Sequence, residues 1–462
     1  MNSSTKKINS EILSLAIPSI LANITVPLVG MVDIAVAGNL GTESASLIGG
    51  IALGSMLFDL LYWNFSFLRA GTGGLTAQAF GRNDFTEVMK IFVRATGISL
   101  VCALVLIAVH RVFVDAALWV VDATPAVKSL AAQYFFIRIW AAPATLSLMA
   151  FKGWFIGVQD SLSAMIVDFV VNGMNIGASI VLAMGWRVVG FEGIGFAGIA
   201  LGTVAAQYSG LLAAVILVLV RHRKYFSGIR SLDFKGIFKG GEMRRFFVMN
   251  ADLLVRSLCF IGIYIGFTTI SAAFGDLLLA TGSIMMKLLL LFSYFTDGFA
   301  YAGEAMSGKY KGAGDGPSLK RTVRWTFAWS MGIAGIFVVI YYFGGSWLLR
   351  LMSSDPAVLD MSSRFLPWLL LMPLVGCPAF TWDGIYIGVT ASRKMRDSML
   401  WAVAGFFLVY YLGLLILDSA FSAHTADHDI IALHLLMAAY LVHLLIRTIH
   451  LSCNSRKILA CQ

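Results

Sequence analysis

NITVPLVGMVDIAVAGNLG, residues 23–41, lies inside an apolar run that begins near Ile12 and holds one carboxylate, Asp33. A helix needs about 20 apolar residues to cross a bilayer, and this run has them. A carboxylate charge inside that slab costs several kcal/mol. Pro27 stands before the acid, and Gly30 and Gly38 flank it. Proline removes a backbone donor and favours a kink, so the stretch sets an ionisable group on a helix able to bend, with Pro27 as its hinge. Such an acid serves as a proton or ion relay, or it pairs with a neighbouring helix as a structural group. The stretch alone leaves both open.

The surrounding chain makes the membrane reading firm. Its 462 residues are 59% hydrophobic and 13% charged, against about 25% charged in soluble domains. Mean hydropathy is +0.83. The net charge of +9 does not point to nucleic acid, because the basic residues fall in short connections between apolar runs. Five cysteines (Cys102, Cys259, Cys377, Cys453, Cys461) form no CxxC pair and read as buried apolar side chains. Lys6 and Lys7 precede the first run, which holds an acid and lacks an A-x-A site, so a retained helix is expected and no cleaved signal. Twelve segments of spanning length are expected, near 12–38, 45–68, 90–112, 128–152, 162–185, 193–221, 244–274, 278–305, 319–343, 358–387, 394–418 and 430–452.

Loop charge sets the expected orientation. Arg82, Lys90 and Arg94 follow segment 2. Arg221, Arg223, Lys224, Arg230, Lys235, Lys239, Arg244 and Arg245 follow segment 6. Lys309, Lys311, Lys320, Arg321 and Arg324 follow segment 8, and Arg393, Lys394 and Arg396 follow segment 10. The intervening loops carry Glu43, Arg187 with Glu192, Asp276, and Asp418, Asp427 and Asp429. The positive-inside rule then places both termini in the cytoplasm. The basic connection 222–243 divides the chain into bundles 1–221 and 244–462. These repeat: TPAVKSLAAQYFF at 124–136 aligns with DPAVLDMSSRFLP at 355–367, and GWFIGVQDS at 153–161 with GIYIGVTAS at 384–392. The offset is 356 − 125 = 231 in the first and 388 − 157 = 231 in the second. AQAFGRND at 77–84 matches GEAMSGKYKGAGD at 303–315 with one gap. Six spans per copy make the copies parallel, related by an axis along the membrane normal, with a substrate site expected between them near the midplane.

Polar side chains cluster on few faces. Asp168, Asn172, Asn175 and Ser179 fall at i, i+4, i+7 and i+11 of segment 5, on one helical face. A polar stripe on an apolar span faces a partner or a water-filled cavity, so it is either interhelical glue or part of a site. Asn250, Asp252 and Arg256 open segment 7, where Asp252 and Arg256 can pair at i, i+4. Asp297, Tyr301 and Glu304 line the end of segment 8, near Lys287, and read first as a charge lock between the bundles. Asp59, Arg69 and Asp383 are further buried-charge candidates, with Arg69 and Asp383 placed to snorkel. Gly193, Gly195 and Gly198 spell GxGxxG, but no strand precedes them; close helix packing is the better reading. His424, Asp427, His428 and Asp429 are a weak metal candidate in a short loop, and no metal site or cofactor is expected.

NITVPLVGMVDIAVAGNLG, GLTAQAFG (74–81), NADLLVRS (250–257), TDGFAYAGEA (296–305) and DGIYIGVTASRKMRDSM (383–399) together resemble the multidrug and toxic compound extrusion family, most nearly its DNA-damage-inducible F branch. The resemblance runs through segments 1 to 11 in order. It implies two six-helix bundles around a V-shaped cavity and drug efflux driven by protons or sodium. It also implies that the first-helix acid, here Asp33, is the coupling site. Related members carry an Asn and an Asp four apart on helix 5 and a Thr on helix 6. Asn175 and Thr203 match the Asn and the Thr, whereas Ser179 stands at the Asp position. That change removes an anionic ligand and favours protonation of Asp33 over sodium binding. Asp168, two turns away on the same face, could substitute only after rearrangement.

The expectation is therefore an all-α, twelve-span, cation-coupled, proton-driven antiporter of the bacterial inner membrane. It would export lipophilic, often cationic compounds by alternating access, as a monomer with the lipid bilayer as its surroundings. A flippase for a lipid-linked precursor is the alternative and calls for a strongly basic central cavity. A membrane-embedded enzyme would need a nucleophile and base, or a metal set, on facing spans, and the sequence offers none.

Overall fold

The computed structural model describes residues 3–40, 44–121, 123–186, 190–225, 241–420 and 426–459. Its helices in chain order are α1 (Ser3–Gly38), α2 (Ser44–Trp63), α3 (Ser66–Gly81), α4 (Phe85–Val120), α5 (Pro125–Arg138), α6 (Ala142–Gly157), α7 (Ser161–Met184) and α8 (Phe196–Arg221). They continue with α9 (Gly241–Ala272), α10 (Asp276–Gly312), α11 (Gly316–Met352), α12 (Pro356–Gly388), α13 (Ser392–Ala420) and α14 (Ala426–Ile458). Among the described residues twelve helical spans are long and apolar enough to cross a membrane. Two are broken: α2 and α3 form one span, and α5 and α6 form another, joined through a 3-10 turn at Ile139–Ala141. Helices extend past the apolar runs by a turn or more because capping residues, not hydropathy, end them.

Those caps repeat at the offset of 231. Asp84 accepts the Glu87 N–H at 3.0 Å to start α4, and Asp315 accepts the Ser318 N–H at 2.9 Å to start α11. Thr124 caps α5 ahead of Pro125, and Asp355 caps α12 ahead of Pro356. Asn83 and Gly314 precede the first pair of caps with positive φ, and Gln159 and Thr390 take the same conformation before α7 and α13. The GWFIG and GIYIG repeats have the same job. A Cβ on Gly153 would sit 2.2 Å from the Arg69 carbonyl oxygen of α3, and one on Gly384 would sit 2.0 Å from that of Ala300 on α10. Small residues there let each helix pair pack backbone to backbone.

The chain divides into two compact units, Leu21–Phe247 and Met1–Ile20 with Val248–Gln462. These limits differ from bundles of 1–221 and 244–462 because the first helix of each half begins in the other unit. In α1, Glu11 accepts from Lys309 at 3.0 Å, Asn9 accepts from Trp329 at 2.8 Å, and Ala16 and Ile20 lie against Gly298. In α9, Glu242 accepts from Arg94 at 2.8 Å, and Phe246 is buried against Ala95 and Ala150. Of the basic connection 222–243, residues 226–240 lie outside the described residues. Its start is anchored: His222 Nε2 lies 2.8 Å from Asp160 Oδ2, the residue that caps α7.

Candidate functional site

The site begins with glycines. A Cβ on Gly198 would lie 2.4 Å from the Leu182 carbonyl carbon, and one on Gly202 would lie 2.5 Å from the Ser179 nitrogen. Gly193 is equally tight against Ala183, so the outer two glycines of the GxGxxG motif close α8 onto α7 and its approach, while Gly195 has open space. This contact delivers Thr203 to the polar stripe. Asn175 Nδ2 donates to Thr203 Oγ1 at 2.9 Å, and Ser179 and Thr203 both reach the Ile199 carbonyl at 3.4 Å.

Asp33, in the part of α1 that belongs to the same unit, is 5% exposed. The Ser179 hydroxyl is the side-chain group beside its carboxylate, and the Arg138 guanidinium of α5 is a positive charge in range. Asn175, Ser179 and Thr203 are as deeply buried. Asp33 Oδ1 and Asn175 Oδ1 have no hydrogen-bond partner among the described residues. A buried acceptor left without a partner costs about 1–3 kcal/mol. A proton on Asp33 removes the buried charge, the costliest part of leaving that carboxylate there. A metal-like cation would find one carboxylate and neutral oxygens only.

The rest of the stripe has other partners. Asp168 forms an ion pair with Lys152 of α6, which occupies the carboxylate expected to stand in as a second ligand. Asn172 donates to Thr25 of α1. Ion pairing wins at Asp168 because a half-buried carboxylate is stabilised by an opposite charge, and Lys152 is one helix away. Pro27 lies within an α1 that continues as helix from Ser3 to Gly38.

The second-half candidates separate as well. Asp252 does not pair with Arg256. It accepts from Arg396 at 2.7 Å and Ser392 at 2.8 Å, both on α13. Arg256 instead reaches Asp383 of α12, which also accepts from Arg447 of α14 at 2.5 Å. Asp383 therefore does not snorkel; it is buried between two guanidiniums. Glu304 is fully buried, with its carbonyl against Gly388, and Asp297 is half-buried on the same helix. His428 is taken up by Asp418 and Asp429 at 2.8 and 3.0 Å, while His424 lies outside the described residues.

Three side chains escaped the sequence reading: Arg138, Lys152 and Arg447. Each is a cation inside an apolar span, the kind of signal that singled out Asp33; Arg138 and Lys152 share the α5–α6 span, and Arg447 lies in α14. Arg138 donates to the Tyr134 hydroxyl at 3.1 Å and lies over Phe58, 4.7 Å from the ring centroid.

The family model named MatE matches residues 18–181 and again 253–415, one match per half. The chain belongs to the MatE family. DNA damage-inducible protein F of Escherichia coli (strain K12) is 35% identical over 394 residues, covering 85% of this chain and 83% of the relative. A protein from Bradyrhizobium diazoefficiens called probable multidrug resistance protein NorM is 21% identical, covering 87% and 84%. Among solved structures, a MOP superfamily transporter from Pyrococcus furiosus superposes with a TM-score of 0.81 at 14% identity, covering 99% of each chain. This MatE chain is thus a multi-pass membrane protein of a transporter family, with the family's fold.

Proposed function

We propose that this MatE protein is a proton-coupled antiporter that exports lipophilic, often cationic compounds across the bacterial inner membrane by alternating access, with both termini in the cytoplasm. The names of its relatives support the efflux reading. One observation carries the choice of ion: Asp33 is buried beside Ser179, where a second carboxylate would be needed to hold sodium well, and Asp168 is engaged by Lys152. Proton uptake needs one carboxylate and neutralises a buried charge, which removes the main cost of closing the protein around it. Asn175 and Thr203, bonded to each other, set the neutral wall of the site.

The test is transport in proteoliposomes with an imposed pH or sodium gradient. A pH gradient alone should drive efflux, and Ser179→Asp should add sodium dependence. Transport that requires sodium and ignores a pH gradient overturns the assignment. A flippase for a lipid-linked precursor is the second reading. The feature that favours it is the Arg256–Asp383–Arg447 cluster, a local excess of positive charge.

A further inference from the structure

The two halves carry charge differently at one equivalent position. Lys152 and Asp383 are related by the repeat, since 383 − 152 = 231. In the first unit Lys152 meets one acid, Asp168, and the charges cancel. In the second unit Asp383 meets two guanidiniums, Arg256 of α9 and Arg447 of α14, both on its Oδ2 atom. Among the described residues neither guanidinium has another carboxylate within ion-pair distance. The cluster therefore holds a net charge of 2 − 1 = +1.

That excess is poorly satisfied by the protein. The Arg447 side chain is 3% exposed, and its Nη1 has no hydrogen-bond partner among the described residues. One arginine per aspartate balances the charge; a second, buried and partly unbonded, costs free energy that the pair does not return. Arg256 is 24% exposed, so the cluster is open on that side. An aromatic ring lies beside it, with the Arg447 guanidinium 5.8 Å from the Phe380 ring centroid, and Tyr440 and His443 are near Arg447.

We propose that the Arg256–Asp383–Arg447 cluster is a binding site for the anionic group of an amphiphile, a carboxylate, sulfonate or phosphate carried on an apolar body. Planar guanidiniums bind such oxyanions through paired N–H groups, and an anion here cancels the excess charge and gives Arg447 its missing acceptor. The inference rests on reading the chain as an exporter and extends its substrates beyond cations.

The full-length protein in phosphatidylcholine nanodiscs tests this with two fluorescent probes of one skeleton. These are 1-anilinonaphthalene-8-sulfonate and its uncharged parent N-phenyl-1-naphthylamine, each corrected for empty discs. Arg447→Gln and Arg256→Gln should each weaken sulfonate binding about tenfold while the parent changes by less than about twofold. Arg447→Lys, which keeps the charge and loses the fork, should fall between. If Arg447→Gln does not fold, the more exposed Arg256→Gln supplies the same comparison. Parallel loss of both probes, or no change in either, overturns the site. Adding phosphatidylglycerol identifies the occupant: competition with the sulfonate assigns it to a lipid headgroup, and no competition assigns it to a soluble amphiphile. Equilibrium binding needs no ion gradient, so failure of gradient-driven export and failure of this site are separate results.

Discussion

Replacing Asp33 with asparagine removes a titratable oxygen and leaves the shape of the side chain almost unchanged. The carboxylate sits beside Ser179 with one oxygen orphaned, so a neutral amide is no worse accommodated than the acid. Asp33→Asn should therefore fold and insert normally and lose gradient-driven transport. Normal pH-driven efflux by an inserted Asp33→Asn protein would remove the coupling role. Asp160, in the connection between α6 and α7, makes a different prediction. Burial works against its charge, yet bonds from His222 and Ser163 and the nearby Arg221 charge hold its carboxyl below the usual range. A carboxyl lowered by folding stabilises at every pH above its unfolded value, about 3.9, and the contribution fades as pH falls through the folded value. Asp160→Asn should thus cost about 1–2 kcal/mol near neutrality, with the gap to wild type closing below about pH 4. Thermal unfolding of both proteins from pH 7 to pH 3 measures it; a gap that does not change with pH would show that the charge contributes nothing.

At the scale of elements, the site depends on how closely α8 approaches α7. A methyl group on Gly202 would come within 2.5 Å of the Ser179 nitrogen and 2.7 Å of its Cα, and backbone atoms cannot rotate away. Gly202→Ala must therefore push the helices apart, at a cost of about 1–3 kcal/mol. The shift falls at the residue before Thr203, so the 2.9 Å bond to Asn175 should lengthen and transport should fall with the melting temperature. Gly177, on α7 itself, has nothing within 4 Å of an added Cβ. Gly177→Ala should be neutral or slightly stabilising, because alanine favours the helix by about 0.5–1 kcal/mol. Thermal shift and efflux measured on both variants decide the matter; equal behaviour would reduce the glycine contact to incidental packing. The repeat was legible in GWFIG and GIYIG, but not that Gly153 and Gly384 are where backbones touch, since the partner lies far away in the chain.

For the whole molecule, the prediction concerns orientation. The Lys- and Arg-rich connections follow spans 2, 6, 8 and 10, so a protease-cleavable tag after Gln462 should be cut only when cells are permeabilised. Cleavage in intact cells would reverse the orientation. Each unit also borrows the start of the other half's first helix: Glu11 is tied to Lys309, and Glu242 to Arg94. The bundles expected at 1–221 and 244–462 missed this, because hydropathy marks where a span lies and not which neighbour it packs on.

By itself the sequence determined the all-α class, the spans, the internal repeat and the buried acid, because these follow from local properties: run length, charge and a fixed offset. Through resemblance and helical spacing it also singled out Asn175, Ser179 and Thr203, of which the structure bonds Asn175 to Thr203 and sets Ser179 beside Asp33. Only the tertiary structure decided which charges meet. Asp252 and Arg256 share a helical face, yet each pairs across to another helix, and Asp168 meets Lys152 instead of Asp33. A buried ion takes the best-placed partner in space, and in a helical membrane protein that partner is set by which helices touch, a choice that spacing along one helix does not contain.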